Sequence, residues 1–392
     1  MNSPTTLRLV VIGGGATGTG IARDAAERGF AVTLVEQGEL GSGTSGNFHG
    51  ILHSGARYAV LDEPTASECY RENQILRRIV PSAIIPTGGL FVALNEREAA
   101  HATLIMQACQ RTGIPATEIT PAAAHILEPN LTTSVLRAFT VPDGFVDGGE
   151  LIRLNREAAE AATRPATLLT GHRVIGFARK NSLINHVSVL NQATGKTTAI
   201  PCDYVINAGG VWAGEVARMV SITLDMVFDK GTMIMFENKL NTAVLNRCRP
   251  QADGDLLDQN GTQSIMGTTA RVITKLSDCQ PTAEEVQLLL TAGFEMVPAM
   301  KTAVIRRVYA GVRPLFNDGT PTLVGSTRSI SRSYHVLDHE GAGLDNFISV
   351  VGGKVTIYRL MAEMAVDLLC RKSGVEEPCR TADLVLETKA LA

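Results

Sequence analysis

The stretch "LRLVVIGGGATGTGIARDAAERGFAVTLVE", Leu7 to Glu36, carries the fold class. Leu7–Ile12 is a short, β-rich apolar run of the kind buried in a parallel sheet. A glycine turn follows, then a helical stretch from Ala16 to Arg28 that Gly29 closes. Ala31–Glu36 is a second apolar strand. Strand, glycine turn, helix and strand make a βαβ unit. Its glycines fall at Gly13-x-Gly15-x-x-Gly18. The first permits a tight turn, the second lets backbone approach a pyrophosphate, and the third lets helix and strand pack closely. The helix N-terminus offers N–H groups and a positive dipole end to phosphates. Glu36 ends the second strand, where an acidic side chain accepts both ribose hydroxyls. A bare glycine turn would leave Glu36 unexplained, so the unit reads as dinucleotide-binding, with NAD and FAD both admitted.

The next stretch bears on that choice. "GSGTSGNFHGILHSGARY", Gly41 to Tyr58, has five glycines and carries two histidines, an arginine and a tyrosine. An NAD dehydrogenase usually proceeds from its acidic residue to the next helix. Here small residues let backbone amides approach a flat, buried ring. The segment reads as a wrap around pyrophosphate and flavin. A flexible loop is the alternative, and the mixture of apolar and ionisable groups in His49–Tyr58 argues against it.

Three further motifs belong with these. "VINAGGVWA", Val205–Ala213, is a buried strand ending in glycines beside the sole tryptophan. "YAGVRPL", Tyr309–Leu315, places Arg313 in an otherwise apolar strand, which is costly without an anion or a salt-bridge partner. "GGKVTIYR", Gly352–Arg359, ends a strand in two glycines and opens a helix at Lys354. Its N–H groups and the lysine would stabilise negative charge on a reduced flavin.

Between these motifs the pattern is helical over about 64–79 and 96–111, with a strand at Gly88–Leu94. Residues 168–200 read as strands with a hairpin turn at Ala193–Lys196. Residues 223–313 read as strand-rich, broken by a helix near Ala283–Met296. The last helix, Thr356 to Arg371, would bury Leu360, Met361, Met364, Ala365 and Leu368 as core. Nucleotide-type strands occur at both ends of the chain, so the two domains interleave.

The length, 392 residues, allows a large core and two domains. Apolar residues at 45% and charged residues at 19% suit a soluble enzyme. A net charge of −3 gives no general attraction to nucleic acid, although a local basic pocket is compatible with it. The seven cysteines form no C-x-x-C pair and are odd in number, which points to reduced thiols in a cytoplasmic setting rather than disulfides or zinc. The N-terminal apolar run is too short for a signal peptide, and no apolar run is long enough to span a bilayer. "HEGAG", His339–Gly343, lacks the second histidine of a metalloprotease site and reads as a turn; no metal site is expected.

Taken in order, "GGGATGTGIARDAAERG", "HGILHSGARYAV", "ENQILRRI", "VPDGFVD", "NAGGVWAGEVA", "GTMIMF", "MGTTA", "YAGVRPL" and "GGKVTIYRLMAEMAVD" resemble the FAD-dependent glycerol-3-phosphate dehydrogenases. They are most like the large catalytic subunits of the anaerobic respiratory branch. The resemblance runs from Leu7 to about Leu386. It implies an α/β fold in which a Rossmann-like FAD-binding domain interleaves with an antiparallel-sheet substrate domain, of the D-amino-acid oxidase or glutathione-reductase-2 type. The FAD-binding domain would comprise 1–80, 145–220 and 325–392, and the substrate-binding domain 81–144 and 221–324. The family's cysteine-rich C-terminal domain has no counterpart in this sequence, which leaves the electron exit route open.

The resemblance also implies roles. Arg57, Tyr58, Arg313 and Lys354 would bind sn-glycerol 3-phosphate beside the flavin. FAD contacts would fall on Gly13, Gly15, Ala16, Thr17, Gly18, Glu36, Gln37, Thr44, Ser45, His49, Gly50, Leu52, Val174, Ala208, Gly209, Gly353, Lys354 and Thr356. The expected reaction yields dihydroxyacetone phosphate by hydride transfer from C2 to flavin N5. His53, His49 or Lys354 would take the hydroxyl proton. Electrons would pass to quinone or to an electron-transfer partner protein, in a complex anchored on the cytoplasmic face of the inner membrane. A flavin oxidase of the same fold, using O2 on glycerol 3-phosphate, an amine or a 2-hydroxy acid, is the rival reading. A non-catalytic flavin-bearing scaffold is another.

Overall fold

The computed structural model describes residues 6–317, 319 and 332–387. Its first unit is the expected one. The strand Arg8–Ile12 leads through the glycine turn into the helix Ala16–Glu27, and the chain returns along the strand Ala31–Val35. Gly29 stands just past the helix with φ +89°, in the left-handed conformation that glycine takes without a Cβ penalty.

Both strands belong to a six-stranded sheet in the order Tyr334–Asp338, Phe347–Gly352, Tyr204–Asn207, Arg8–Ile12, Ala31–Val35, Thr167–Leu169. All its pairings are parallel except the outermost, between Tyr334–Asp338 and Phe347–Gly352. Its central strands, Arg8–Ile12, Tyr204–Asn207 and Phe347–Gly352, are almost wholly buried, as helix-covered parallel strands must be, whereas the two edge strands are partly exposed. Helices Ala16–Glu27, Gly148–Ala161 and Tyr358–Ser373 pack together beside it. A three-stranded antiparallel sheet, His172–Lys180, Leu183–Asn191 and Thr197–Pro201, lies alongside.

A nine-stranded sheet forms the other half of the fold. Its pairings are antiparallel except that of Val244–Arg247 with Gly89–Ala93. Its longest pair joins Met226–Phe236 to Ile305–Phe316. The helix Ala283–Met296 covers one face and starts with a capping box, Thr282 and Glu285 exchanging hydrogen bonds with each other's backbone. The fold is thus mixed α/β, a parallel nucleotide-type sheet joined to a large antiparallel one.

The C-terminal helix differs from expectation. Lys354 is extended, Val355–Ile357 form a single 3₁₀ turn, and the α-helix begins only at Tyr358. Its buried stripe is Tyr358, Met361, Ala362, Ala365, Val366 and Leu369, whereas Met364 is exposed and Leu360 and Leu368 are only half-buried. The physical reason is that the helix faces the helix Ala16–Glu27 and the sheet together, which turns the contact stripe away from Met364. All seven cysteines are free. Among the described residues no helix is long and apolar enough to cross a membrane.

Candidate active site

Three adjoining cavities form one trough along the C-terminal edge of the parallel sheet. The outer one, ≈ 330 Å³, is lined by Gln37, Val174 and Val216, with Gly13, Glu36, Gly209 and Trp212 shared with the next. The middle one, ≈ 120 Å³, runs past Gly15, Ala16, Thr17, Gly18, Ser45 and Ala208. The inner one, ≈ 140 Å³, meets it at Thr44, Pro314, Gly353, Lys354 and Val355. Open α/β sheets bind ligands at this edge.

The floor of the trough is backbone. Gly13 has φ +108° and Gly353 φ +77°, both unfavourable for any side chain. A Cβ on Gly18 would stand 1.8 Å from the Gly13 carbonyl oxygen, so the third glycine of the motif is there for close packing. A Cβ on Gly353 would stand 2.4 Å from Met361 Sδ. The Ser45 hydroxyl accepts from the Ala16 N–H at 3.1 Å and ties the glycine-serine segment to the helix N-terminus. Thr44 Oγ1 donates to the Val312 carbonyl at 2.8 Å, and Tyr309 Oη to the Phe48 carbonyl at 3.2 Å. The segment is therefore clamped between both halves of the fold, and the flexible-loop reading fails.

Glu36 has a local role as well. Its two oxygens accept from the N–H groups of Gly14 at 2.6 Å and Gly38 at 2.7 Å. A carboxylate accepts about four hydrogen bonds, so capacity for ribose hydroxyls remains.

Of the residues expected to touch a cofactor, Gly50 and Leu52 do not line the trough. Leu52 sits in the short strand Ile51–Leu52 and points into the core with Ile75, Leu76 and Val146. Gly50 turns against Phe145, whose ring a Cβ would strike at 2.0 Å. Strand alternation sends His49 and Ile51 to the cavity and Leu52 away from it. Every other expected residue borders one of the three cavities.

The inner cavity gathers Arg57, Arg313, Arg332 and Lys354 around His49, His53 and Tyr58, and no carboxylate is among its described lining residues. Arg313 Nη1 donates to Asp229 at 2.8 Å, its Nη2 donates to Thr268 Oγ1, and both donate to the Thr269 carbonyl. The salt-bridge reading of Arg313 therefore holds together with its cavity position. Arg57 donates to Asp255 at 3.0 Å, and Gln251 Nε2 holds the Arg57 carbonyl at 3.2 Å. Tyr58 Oη lies 3.4 Å from His53 Nε2. The His53 N–H donates to Thr356 Oγ1 at 3.1 Å, and His49 Nδ1 accepts from the Ile51 N–H at 3.1 Å.

The cations set the electrostatics. Burial, then Arg313, Arg57 and Arg332, push the His49 imidazole down to about 3. Burial, then His49, Lys354, Arg57 and Arg332, hold His53 well below its ordinary value. Both shifts favour the neutral ring, and the Nδ1 lone pair of His49 is already engaged by the Ile51 N–H, which leaves His53 as the histidine whose acceptor nitrogen can serve chemistry. Arg332 is itself pushed down, by burial and by Arg313. Such a cavity favours an anion of more than one charge.

Arg332 and Asp229 went unrecognised in the sequence. Arg332 lies just before the strand Tyr334–Asp338, whose pairing with Phe347–Gly352 brings it beside the Gly-Gly-Lys turn; the Gly353 N–H donates to the Ser333 carbonyl at 2.9 Å. Only the pairing register reveals that neighbourhood. Lys354 Nζ donates to the Arg332 carbonyl at 3.0 Å, which fixes the ammonium at the rim of this cavity.

Comparison with known proteins agrees with this architecture. The family model "FAD dependent oxidoreductase" (DAO) matches residues 8–358. One component chain of the anaerobic glycerol-3-phosphate dehydrogenase of Escherichia coli is 43% identical over 382 residues, covering 96% of this chain and 69% of that protein. The corresponding chain of the Haemophilus influenzae enzyme is 38% identical over 379 residues, covering 96% of this chain and 66% of that protein. The chain thus spans about two thirds of the length of these relatives. The structure of the Bacillus halodurans glycerol-3-phosphate dehydrogenase complexed with FAD has a TM-score of 0.74 at 23% identity, covering 98% of this chain and 68% of that one. At that identity the likeness speaks for the fold.

Proposed function

Because this chain belongs to the DAO family of FAD-dependent oxidoreductases, in the line of the anaerobic glycerol-3-phosphate dehydrogenases, we propose that it oxidises sn-glycerol 3-phosphate to dihydroxyacetone phosphate. The observation that carries the reading is the placement of Arg57, Arg313, Arg332 and Lys354 at one end of a glycine-floored trough.

FAD fits that trough: the backbone floor and the helix N-terminus suit a pyrophosphate, and Glu36 a ribose. Gly13, Gly15, Ala16, Thr17, Gly18, Thr44, Ser45, Ala208 and Gly209 would hold the pyrophosphate stretch, and Gln37 and Val174 the adenine end. His49, Gly353, Lys354 and Thr356 would hold the flavin end. Bound there, FAD supplies the two-electron acceptor for the carbinol carbon of the substrate. The parallel sheet would serve as the FAD-binding domain and the nine-stranded sheet as the substrate domain.

Arg57, Arg313 and Arg332 would grip the phosphate, because planar guanidinium forks match its oxygens. Each charge-assisted contact is worth roughly 1.5–3 kcal/mol. The neutral His53 Nε2, oriented by Tyr58, would accept the C2 hydroxyl proton. Alone among cations His53 is a weak base. A phosphate dianion would offset those charges and raise its proton affinity as substrate binds. Electrons would leave to a partner protein or to quinone.

The test is the visible spectrum of the purified, FAD-loaded chain under anaerobic conditions. Added glycerol 3-phosphate should bleach the flavin band, and a quinone-type dye should restore it. No bleaching would sink the reading. Stoichiometric peroxide in air at the turnover rate would replace the dehydrogenase by an oxidase.

A further inference from the structure

The strand Met226–Phe236 pairs antiparallel with Ile305–Phe316, and Asp229 stands directly opposite Arg313. Asp229 is completely buried. Its Oδ2 accepts from Arg313 Nη1 at 2.8 Å and from Arg332 Nη2 at 3.2 Å. Its Oδ1 is buried and makes no hydrogen bond among the described residues. One carboxylate oxygen thus serves two guanidinium groups that both face the inner cavity. Two like charges this close repel, and the opposite charge between them offsets that repulsion. A buried carboxylate with one oxygen unsatisfied is expensive, and apolar packing would fill the same space at less cost. Gly231 completes the arrangement. A Cβ there would stand 2.6 Å from Arg313 Nη2, so the glycine leaves room for the guanidinium to lie across the strand.

We propose that Asp229 is a positioning residue: it joins Arg313 and Arg332 into a single anion-binding fork, and the preference for a phosphorylated polyol over its unphosphorylated parent depends on it. This rests on the reading that the inner cavity takes a phosphorylated substrate. Asp229 lies behind both arginines and acts only through them.

The decisive variant is Asp229→Asn, which keeps the shape and removes the charge. The enzyme, loaded with FAD, is assayed anaerobically by dye reduction with glycerol 3-phosphate and with glycerol, and with inorganic phosphate as competitive inhibitor. KM for glycerol 3-phosphate and the inhibition constant of phosphate should both rise at least about tenfold. At saturation kcat should stay within roughly threefold, the signature of lost ground-state binding. The kcat/KM preference for glycerol 3-phosphate over glycerol should fall about tenfold. Unchanged KM and inhibition constant would overturn the proposal. So would an equal fall in kcat/KM for both substrates, which marks a merely structural role. Should D229N fail to fold, Gly231→Ala decides: it pushes the flexible end of Arg313 off an intact Asp229. The same rise in both constants is then expected, and their constancy overturns the idea. A wild-type enzyme that does not turn over glycerol 3-phosphate would instead refute the substrate reading itself.

Discussion

Lys354 Nζ stands 4.6 Å from the centroid of the Tyr58 ring while it donates to the Arg332 carbonyl at 3.0 Å. One ammonium thus joins three segments: the Gly-Gly-Lys turn, the glycine-serine segment, and Arg332, two residues before the strand Tyr334–Asp338. A partly desolvated cation over a tyrosine face contributes about 1–2 kcal/mol. Lys354→Met should therefore loosen the inner cavity as well as remove a charge. We expect KM for glycerol 3-phosphate to rise about tenfold or more, with FAD still held by the backbone floor and the other residues of the trough. An unaltered KM would separate Lys354 from substrate binding.

Arg313→Ala removes the guanidinium and leaves Asp229 buried without it. Loss of one charge-assisted contact predicts a KM increase between about tenfold and a hundredfold. Flavin absorbance should persist, since Arg313 lies in the nine-stranded sheet. Kinetics like those of the parent would take Arg313 out of the site.

Tyr58→Phe keeps the ring under Lys354 and deletes only the hydroxyl beside His53 Nε2. The expected result is a fall in kcat of about tenfold or more with little change in KM, because proton transfer is impaired while the phosphate contacts stay. A rise in KM alone would contradict the orienting role of the hydroxyl.

The histidines make stability depend on pH. His49 titrates at about 3 in the folded chain and near 6.5 when unfolded. Between those values the unfolded state binds a proton that the folded state does not. Stability therefore rises with pH through this window and is lost as pH falls below 6.5, at roughly 1.4 kcal/mol per pH unit for one group. Asp24, Asp143 and Asp258, all raised by burial, act with the opposite sign. The readout is thus a difference: His49→Gln should flatten the urea-midpoint profile between about pH 4.5 and 6.5 relative to the parent. Parallel profiles would show that His49 is protonated in the fold.

Glu72 and Arg359 form a two-pronged ion pair, Oε1 to Nη2 at 2.6 Å and Oε2 to Nε at 2.8 Å, with side chains 0% and 2% exposed. The pair pins the helix Glu63–Ile79 to the C-terminal helix. Glu72→Gln leaves a buried guanidinium short of its counter-charge and should cost roughly 3–5 kcal/mol in denaturant unfolding. A loss under about 1 kcal/mol would mean that Glu363, which also accepts from Arg359, carries the contact.

Local spacing was enough to identify the βαβ unit, its three glycines and Glu36, because a turn, a helix start and a strand end are settled within thirty residues of chain. The same holds for Arg313 as an odd charge in an apolar strand and for Gly353 after another. Side-chain direction in the glycine-serine segment was less legible. The two-residue strand there turns Leu52 into the core, and so short a strand has no readable alternation.

The long-range pairings left no trace in the order of residues. Asp229 meets Arg313 across 84 positions and Arg332 across 103. Strand register brings those groups together, and register follows from which faces of a nine-stranded sheet are buried. A carboxylate and two arginines look alike on paper whether they face water or share a dry pocket. The cofactor cradle is thus a property of neighbouring residues, and the anion-binding fork a property of packing.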